Sequence, residues 1–280
     1  IMAVSQAHLA KWLPTLSSNN AQGEYYLTDI IAMAANEQVA VVGSQPTFEQ
    51  LVQGVNNRQQ QAELERWYQR QLAEQLMLKG ATLADPARID IRGELSTGND
   101  CFIDINTLFE GKVVLGNKVT VGANCILKNC TIADGTVIEP NSMIDQSTVA
   151  ENCIIGPYAR LRPGSELAAG AKIGNFVETK KSHIGEGAKV NHLSYIGDAE
   201  IGAKVNVGAG TITCNYDGVN KFQTVVGSGA FIGSNTSLVA PVSVGENAMI
   251  GAGSTITKDV EDNALSVARG RQLTKSNWKK

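Results

Sequence analysis

The sequence predicts a mainly β protein, a solenoid of short stacked coils. From about Leu115 to Lys258 an aliphatic residue returns at nearly every sixth position, usually followed by glycine and then by small or polar residues. A helix returns a side chain to one face after about 3.6 residues and a strand after two, so neither explains this period. A hexad suits one short strand plus a corner, and three hexads would complete one triangular coil. Stacked coils would bury each other's aliphatic side chains.

The composition narrows the class of partner. The 280 residues carry a formal net charge of -3, which gives the whole chain no attraction to nucleic acid or to a membrane surface. No apolar run is long enough to cross a bilayer, and we expect no signal peptide. The five cysteines are an odd number without a C-x-x-C pair, which indicates packed thiols in a reducing compartment. We therefore expect a cytoplasmic protein.

Residues 1–58 precede the repeats and predict a remnant of an α/β domain, and we expect an N-terminal truncation. Helical patterns cover His8–Leu16, Leu27–Ala35 and Thr47–Val52, with a strand-like Val39–Val42 between the last two. This alternation is typical of an α/β domain, but it is too short to build a parallel sheet.

Residues 59–79 predict a long helix that links this remnant to a β-helix domain over 80–280. Its apolar stripe is formed by Leu64, Trp67, Tyr68, Leu72 and Leu76. Gly80 is a natural stop for such a helix. The polar tail from Glu261 has no period, so we expect it to wrap a neighbour or to be disordered.

Two departures from the six-residue period are the places where chemistry is expected. The phase slips at Thr179–His183, and Thr211–Thr224 cannot be a coil face, so it should project as a loop. Because a solid prism has no internal pocket, ligands must lie along its outside. The polar residues that interrupt the pattern are Arg160, Arg162, Lys180, Lys181, His192, Tyr195, Asn206, Asn215, Tyr216 and Lys221.

The chemistry of these residues indicates an anionic substrate and a proton acceptor. Arginine and lysine together favour a phosphate. His192 suits a general base, since an unperturbed imidazole titrates near neutral pH. The ordinary alternative is that these side chains are solvated charges on a coil face, and His183 and His8 keep that interpretation.

Longer strings carry a resemblance to a known family. RLRPGSELAAGAKIGNFVETKKS, VNHLSYIGDAEIGAKVNVGAGTITCNYDG and NKFQT, with NNAQGEYYLTDII and GVNNR nearer the start, closely resemble the bacterial bifunctional N-acetylglucosamine-1-phosphate uridyltransferases and glucosamine-1-phosphate acetyltransferases. The resemblance implies a left-handed parallel β-helix, although the rule for crossover connections would favour the opposite hand. It also implies a homotrimer with each groove lined by more than one chain.

The resemblance implies transfer of an acetyl group from acetyl-CoA to the 2-amino group of glucosamine 1-phosphate. The product feeds UDP-N-acetylglucosamine synthesis and so peptidoglycan and lipopolysaccharide. His192 matches the family's general base, Arg162 and Lys180 its sugar-phosphate clamp, and Tyr195 and Asn206 its sugar contacts. Lys221 is expected to help close the site. The positions that match acetyl-CoA contacts are Ala209, Asn215, Tyr216, Ser234, Ala252 and Arg269.

For the uridyltransferase half the resemblance implies much less. Asn56 in GVNNR matches the family's Mg²⁺ ligand, but one ligand without its partner carboxylate makes a poor site. The glycine-rich nucleotide loop is missing from this chain. We therefore expect uridyl transfer to be lost.

Three alternatives stay open at this point. A zinc hydrase could use the same fold, but only His183 and His192 lie on the prism, too few for a three-histidine site. A purely structural or binding solenoid is the second. The third is a covalent acyl-enzyme route through Cys214, which has no adjacent base in the sequence.

Overall fold

A computed structural model describes residues 1–278 and divides the chain into two compact units, Ile1–Glu65 and Arg66–Lys280. The boundary falls inside the long helix α3 (Arg58–Leu78). Each unit is described separately below.

The first unit is small and helical. It contains α1 (Gln6–Trp12), α2 (Asp29–Asn36), 3-10 turns at Leu13–Thr15 and Glu49–Val52, and the start of α3 (Arg58–Leu78). Its core is limited to Trp12, Ile30 and Ala34 with partly buried neighbours. The predicted strand over 39–42 is wrong: these residues have no strand partner, and Val42 is 89% exposed.

The second unit is the predicted solenoid, and its strands are short. The first thirteen are β1 (Thr82–Leu83), β2 (Ile89–Thr97), β3 (Phe102–Ile103), β4 (Thr107–Leu115), β5 (Thr120–Val121), β6 (Ile126–Lys128), β7 (Thr131–Ile132), β8 (Val137–Ile138), β9 (Met143–Asp145), β10 (Thr148–Val149), β11 (Ile154–Ile155), β12 (Arg160–Leu161) and β13 (Ser165–Leu167). The remainder are β14 (Lys172–Asn175), β15 (Glu178–Ile184), β16 (Lys189–His192), β17 (Tyr195–Ile201), β18 (Asn206–Val207), β19 (Ile212–Cys214), β20 (Thr224–Val226), β21 (Phe231–Ile232), β22 (Ser237–Val239), β23 (Val242–Val244), β24 (Met249–Ile250), β25 (Thr255–Ile256) and β26 (Leu265–Ser266).

The strands pair in parallel and form a three-faced prism. Face A is an 11-stranded sheet that runs from β1 to β26. The second, 15-stranded sheet folds into two faces. The first half of β15 pairs with β12 on face B, and its second half pairs with β13 on face C. We call the turn from face A to face B corner AB, and the turn from face B to face C corner BC.

The six-residue period is confirmed as the source of the core. One aliphatic side chain per hexad points inward. Those whose exposed fraction is 1% or less include Leu127, Ile132, Ile138, Ile144, Ile155, Leu161, Ile173, Ile184, Ile196, Ile232, Leu238 and Ile250. Burial of each contributes about 1.5–3 kcal/mol. The prediction of a parallel β-solenoid is therefore confirmed. The left-handed sense of its coil stays a prediction.

The cysteines pack as small apolar side chains. Cys101, Cys125, Cys130 and Cys153 are buried. Burial raises the pKa of Cys125 and of Cys153 to about 11 and that of Cys130 to about 12. These thiols are therefore held in their unreactive neutral form.

Helix α3 covers the first coil with a stripe that overlaps the predicted one in part, since Leu76 is buried and Leu72 packs against the core as predicted. Gln69, Ala73 and Leu76 are its buried residues, whereas Tyr68 is 53% exposed. The Gln69 amide pairs with both backbone groups of Ile91, accepting from N–H at 2.8 Å and donating to C=O at 2.9 Å. The helix thus satisfies backbone groups that an open sheet edge would leave exposed.

The limits of the irregular segments also differ from the predictions. The projecting loop is only 215–223, because Thr211, Thr213 and Thr224 are buried in the coils. Coils begin at β1, inside the β-helix domain predicted over 80–280 and before the regular hexads that start near Leu115. The predicted irregular tail includes β26, which pairs with β24, and residues 279–280 lie outside the described part. No helix of residues 1–278 combines the length and the apolarity needed to span a bilayer.

Candidate active site

The outer surface of face B carries a ladder of charged side chains, one per coil. Register places Arg92, Glu110, Lys128 and Asp145 side by side on successive strands. The Arg92 Nη1–Glu110 Oε1 distance is 3.7 Å and the Lys128 Nζ–Glu110 Oε2 distance is 3.6 Å. Signs alternate, so each charge has an opposite neighbour.

The alternation ends at Arg162 and Lys180. The pairing of Leu161 with Thr179 puts these two cations next to each other on adjacent coils. Arg162 is partly neutralised by Glu178, which accepts from Nη1 at 2.7 Å and also lies 3.7 Å from Arg160. Two like charges on adjacent strands repel each other unless an anion binds between them.

The projecting loop adds a third cation. Asp217 Oδ1 accepts hydrogen bonds from the N–H groups of Val219 and Asn220 at 2.7 and 2.6 Å, and Tyr216 forms an antiparallel bridge with Lys221. These contacts fix a tight turn that aims Lys221 at the prism. The adjacent Lys221 ammonium lowers the pKa of Lys180.

Other charges act on Lys180 more weakly. Arg162 also lowers its pKa, and Asp198 opposes the shift. Asp198 accepts a hydrogen bond from the amide of Asn215, which is only 8% exposed at the root of the loop. Arg162, Lys180 and Lys221 thus form a cation cluster whose net repulsion a bound anion would relieve.

Tyr195 reaches this cluster across face B. It begins β17, directly after corner AB, and pairs with Glu178. A Cβ at Gly197 would overlap the Tyr195 hydroxyl, so the phenol lies over Gly197. Gly197 is the register partner of Lys180. The absence of a side chain at Gly197 therefore lets a hydrogen-bonding phenol lie beside the cations.

Corner AB holds a second row, which runs along the prism axis. Main-chain hydrogen bonds connect equivalent positions of successive coils: Leu193 N–H to Asn175 C=O (3.0 Å), Gly210 N–H to His192 C=O (3.3 Å), Asn235 N–H to Ala209 C=O (2.7 Å) and Gly253 N–H to Ser234 C=O (2.8 Å). Arg269 Nη1 then donates to Ala252 C=O at 2.7 Å.

This corner row therefore contains, in order, Asn175, His192, Ala209, Ser234, Ala252 and Arg269. Four coil steps separate His192 from Arg269, about 19 Å at about 4.8 Å per step. The three residues between them are small, so an extended ligand could lie close to the backbone. A cation stands at one end of the row and an imidazole at the other.

The His192 side chain is exposed at the end of β16, on the edge that face A shares with face B. Its Nδ1 lies 2.7 Å from Asn175 Oδ1. Nε2 is the ring nitrogen left to meet a ligand. Tyr195 follows three residues later, so His192 stands between the corner row and the cation cluster.

The predicted site residues Asn206 and Tyr216, and the alternative nucleophile Cys214, lie elsewhere. Asn206 is on face A, paired with Lys189 and Phe231, and it faces away from Tyr195 on face B. Tyr216 is exposed on the loop and donates to Gly218 C=O at 2.5 Å. Cys214 Sγ lies 4.0 Å from the carbonyl oxygen of Ile212. This oxygen can accept a hydrogen bond but cannot act as a base.

Asn56 lies in the first unit and is exposed, with its N–H donating to Gln60 Oε1 at 2.8 Å. Within residues 1–278 no group of three His, Cys, Asp or Glu side chains could hold a metal ion. Mg²⁺ prefers carboxylate oxygens in octahedral geometry. The residues present around Asn56 do not fit that ion.

Sequence reasoning did not select Asn175, Glu178 or Asp198. Each occupies a coil position where a polar residue is ordinary, and its partner comes from a neighbouring coil. These three residues could have been found by subtracting the length of one coil, about 17 residues, from the positions of His192, Tyr195 and Asn215.

Comparison with known proteins places this site in context. The family described as bacterial transferase hexapeptide (six repeats) matches residues 223–258, and the GMPPB C-terminal domain matches residues 91–168. "Bifunctional protein GlmU" of Marinobacter nauticus is 65% identical over 280 residues, which are all of this chain and 62% of that protein. The protein of the same name from Pseudoalteromonas atlantica is 54% identical, also over 100% of this chain and 62% of the relative.

Among solved structures, perosamine N-acetyltransferase from Caulobacter crescentus, crystallised as a mutant with CoA and GDP-perosamine, shares 24% identity at a TM-score of 0.37. The match covers 41% of this chain and 52% of that one. This likeness is too small to carry an argument about the site.

Proposed function

We propose that this chain, which spans 62% of the length of the bacterial bifunctional GlmU relatives that it matches, transfers an acetyl group from acetyl-CoA to the 2-amino group of glucosamine 1-phosphate. Identity of 54–65% over the whole chain supports this assignment. The product, N-acetylglucosamine 1-phosphate, would feed the synthesis of UDP-N-acetylglucosamine.

The cation cluster is the observation that carries the proposal. A solenoid that serves only as a scaffold gains nothing from placing Arg162, Lys180 and Lys221 together, because Glu178 and Asp198 offset only part of their mutual repulsion. A phosphate monoester would supply the missing anion to all three. Tyr195, between the cluster and His192, would then orient the sugar.

His192 is assigned the proton transfer. As the sugar amine attacks the thioester carbonyl, the new N–C bond forms and the nitrogen must lose a proton, which Nε2 accepts. Collapse of the tetrahedral intermediate breaks the C–S bond and releases CoA, whose sulfur takes the proton back from the imidazolium. Proximity and general-base catalysis suffice for this step.

The corner row is assigned to the donor. Ala209, Ser234 and Ala252 leave room for an extended pantetheine arm, and Arg269 would pair with a CoA phosphate at the far end. Asn215 and Tyr216 would contact the donor from the loop. The direct route is favoured over an acyl-Cys214 intermediate because the Cys214 thiol faces the Ile212 carbonyl oxygen, which cannot activate it as a base.

We further propose a homotrimer. Asn206 and Tyr195 point from different faces, so both can contact one sugar only if a second copy supplies one of them. Exposed apolar side chains at corner AB support such a contact, since Tyr158, Phe176 and Leu193 are 52, 56 and 62% exposed beside His192. Analytical ultracentrifugation should give three times the chain mass, and a monomer would contradict this assembly.

Uridyl transfer is not proposed for this chain. Among residues 1–278 no group of carboxylates stands at Asn56 to hold Mg²⁺, so no step is assigned to the metal. The zinc hydrase has no support either, because His183 lies on face C and His192 at corner AB. Acetyl-CoA is thus the co-substrate we assign.

The proposal is tested by following CoA release from acetyl-CoA with glucosamine 1-phosphate as acceptor. The chain as it stands should turn over, and His192→Ala should lower kcat by about 10²- to 10⁴-fold. His183→Ala, a histidine on another face, is the matched control and should change little. Near-normal turnover by His192→Ala would refute the assigned base.

A further inference from the structure

We propose that Asn175 is a positioning residue that holds the imidazole of His192 in the Nδ1–H tautomer. The inference rests on the proposed function and extends it to a residue one coil away from the reacting atoms. Its consequence is that the lone pair of Nε2 is always available to the attacking amine.

The two side chains are fixed opposite each other by the coil. Asn175 ends β14 and His192 ends β16, and the two residues are register partners on face A. Asn175 Oδ1 and His192 Nδ1 are 2.7 Å apart, the length of a good hydrogen bond. An amide oxygen can only accept, so Nδ1 must carry the proton.

The tautomer decides whether the ring can act. In the Nδ1–H form Nε2 is unprotonated and can accept a proton from the amine. In the Nε2–H form the outward nitrogen is a donor and cannot be the base. If the amide were turned so that its NH₂ faced the ring, Nδ1 would be the acceptor and the base would be disabled. The two amide orientations therefore predict opposite tautomers, which an experiment can separate.

Backbone geometry does not explain the asparagine at this position. Many corner asparagines of this solenoid have left-handed backbone angles, for example Asn141 and Asn235 with φ of 62° and 56°. At the coil of Asn175 the left-handed residue is the next one, Phe176, with φ of 55°. The amide of Asn175 is therefore free of the usual corner role, and its contact with His192 is what it contributes.

The backbone of His192 is held independently of Asn175. Its carbonyl accepts from Gly210 N–H at 3.3 Å and from Ser194 Oγ at 2.8 Å. Ser194 is 4% exposed, so this anchor lies inside the corner. Removing the Asn175 amide should therefore leave the corner intact and release only the ring.

The tautomer can be read directly by nitrogen-15 NMR of histidine-labelled protein, without substrate and at a pH where the ring is neutral. The chain has three histidines, so spectra of His8→Gln, His183→Gln and His192→Gln would assign the signals. We expect His192 to show protonated Nδ1 and unprotonated Nε2. Asn175→Ala should move it toward the Nε2–H form, which is the intrinsic preference of a free imidazole, whereas Asn175→Asp, which keeps an acceptor, should not.

Kinetics supply the second readout. Asn175→Ala should lower kcat at least about tenfold while KM for both substrates changes less than about twofold, because the base is present but mostly in the wrong form. Asn175→Asp should recover much of that loss. Lys172→Ala, on the same strand and away from the corner row, is the matched control and should behave like the unaltered chain.

The outcomes separate this inference from the proposed function. An unaltered chain that releases no CoA contradicts the proposed function but leaves the NMR test of the tautomer standing. An active chain in which His192 is Nε2–H, or in which Asn175→Ala keeps the tautomer and kcat, overturns the role of Asn175. A rise in KM with kcat unchanged would also overturn it, since it would make Asn175 a substrate contact.

Discussion

The early and the late coils of face B carry charged side chains at equivalent outward positions, which we call rungs. Neighbouring rungs have opposite charges in the early coils and like charges in the late coils. In the early coils, from Arg92 to Asp145, a cation always stands next to an anion. In the late coils Arg162 and Lys180 stack directly, and Lys221 of the loop joins them. The fold permits both arrangements, because side chains outside the prism do not pack in the core.

In a repeat protein, a ligand is expected at the coils whose outward charges do not pair with one another. A rung that satisfies its own charges is a solvated surface. A rung that leaves charge unbalanced needs a ligand, and here that rung lies beside a histidine and under a structured loop. Matched positions of the two regions should therefore respond differently to the same substitution.

Reversing the charge at Lys180 should have the largest effect on the acceptor. Lys180→Glu should raise KM for glucosamine 1-phosphate by about 10²-fold or more, because a charge-assisted contact is lost and a repulsion is added. Lys128→Glu at the corresponding rung of the early coils should leave KM unchanged. Steady-state kinetics of both variants checks the comparison, and equal effects would contradict a special role for the late coils.

Removing the cation at the end of the corner row should affect only the donor. Arg269→Ala should raise KM for acetyl-CoA about tenfold and leave KM for the amino sugar within about twofold. Titration calorimetry with CoA checks the same loss without turnover. A change in amino-sugar KM instead would move Arg269 from the donor side to the acceptor side.

The pH dependence of phosphate binding should report the contact between the two lysines. Lys221 lowers the pKa of Lys180, so Lys180 loses its charge at a lower pH than an ordinary lysine and anion affinity falls as pH rises through that lowered pKa. Lys221→Met removes the repulsion and raises the pKa of Lys180 toward its usual value.

The fall in affinity should then begin at higher pH in Lys221→Met, although affinity at neutral pH should be a few-fold weaker because one cation is gone. Calorimetric binding of glucosamine 1-phosphate across alkaline pH measures both effects. An unshifted pH profile would show that the lysines do not interact.

The smallest effect is expected at Cys214. Cys214→Ser should keep kcat within about twofold, because direct transfer does not need the thiol. A burst of CoA release without acceptor sugar, lost in Cys214→Ser, would instead establish the acyl-enzyme route.

Much of this account was available from the sequence. The hexad period predicted the solenoid, and the residues that interrupt it included the cation cluster and His192. The helix predicted over 59–79 is present at Arg58–Leu78, but its buried stripe contains Gln69 rather than Tyr68, because a polar amide was needed to pair with Ile91. The spacing of apolar residues alone does not predict a polar side chain that pairs with the exposed edge of the first coil.

The side-chain contacts between coils could not be predicted from the sequence, because they join residues that are far apart along the chain. Asn175 and His192 are 17 residues apart, and Glu178 contacts Arg162 from the next coil. The strand predicted at Val39–Val42 failed for a related reason, since a strand exists only where a partner strand pairs with it. In a solenoid the useful neighbour lies one turn away, so pairing must be known before a site can be built.

We expect the unbalanced cations of the late coils to select a phosphate ester. This selection is measured by comparing kcat/KM for glucosamine 1-phosphate with kcat/KM for glucosamine, in the unaltered chain and in Lys180→Ala. A preference of about 10²-fold or more for the phosphate ester is expected, and it should fall by at least about tenfold in Lys180→Ala. A preference that is absent from the unaltered chain, or that survives intact in Lys180→Ala, would contradict it.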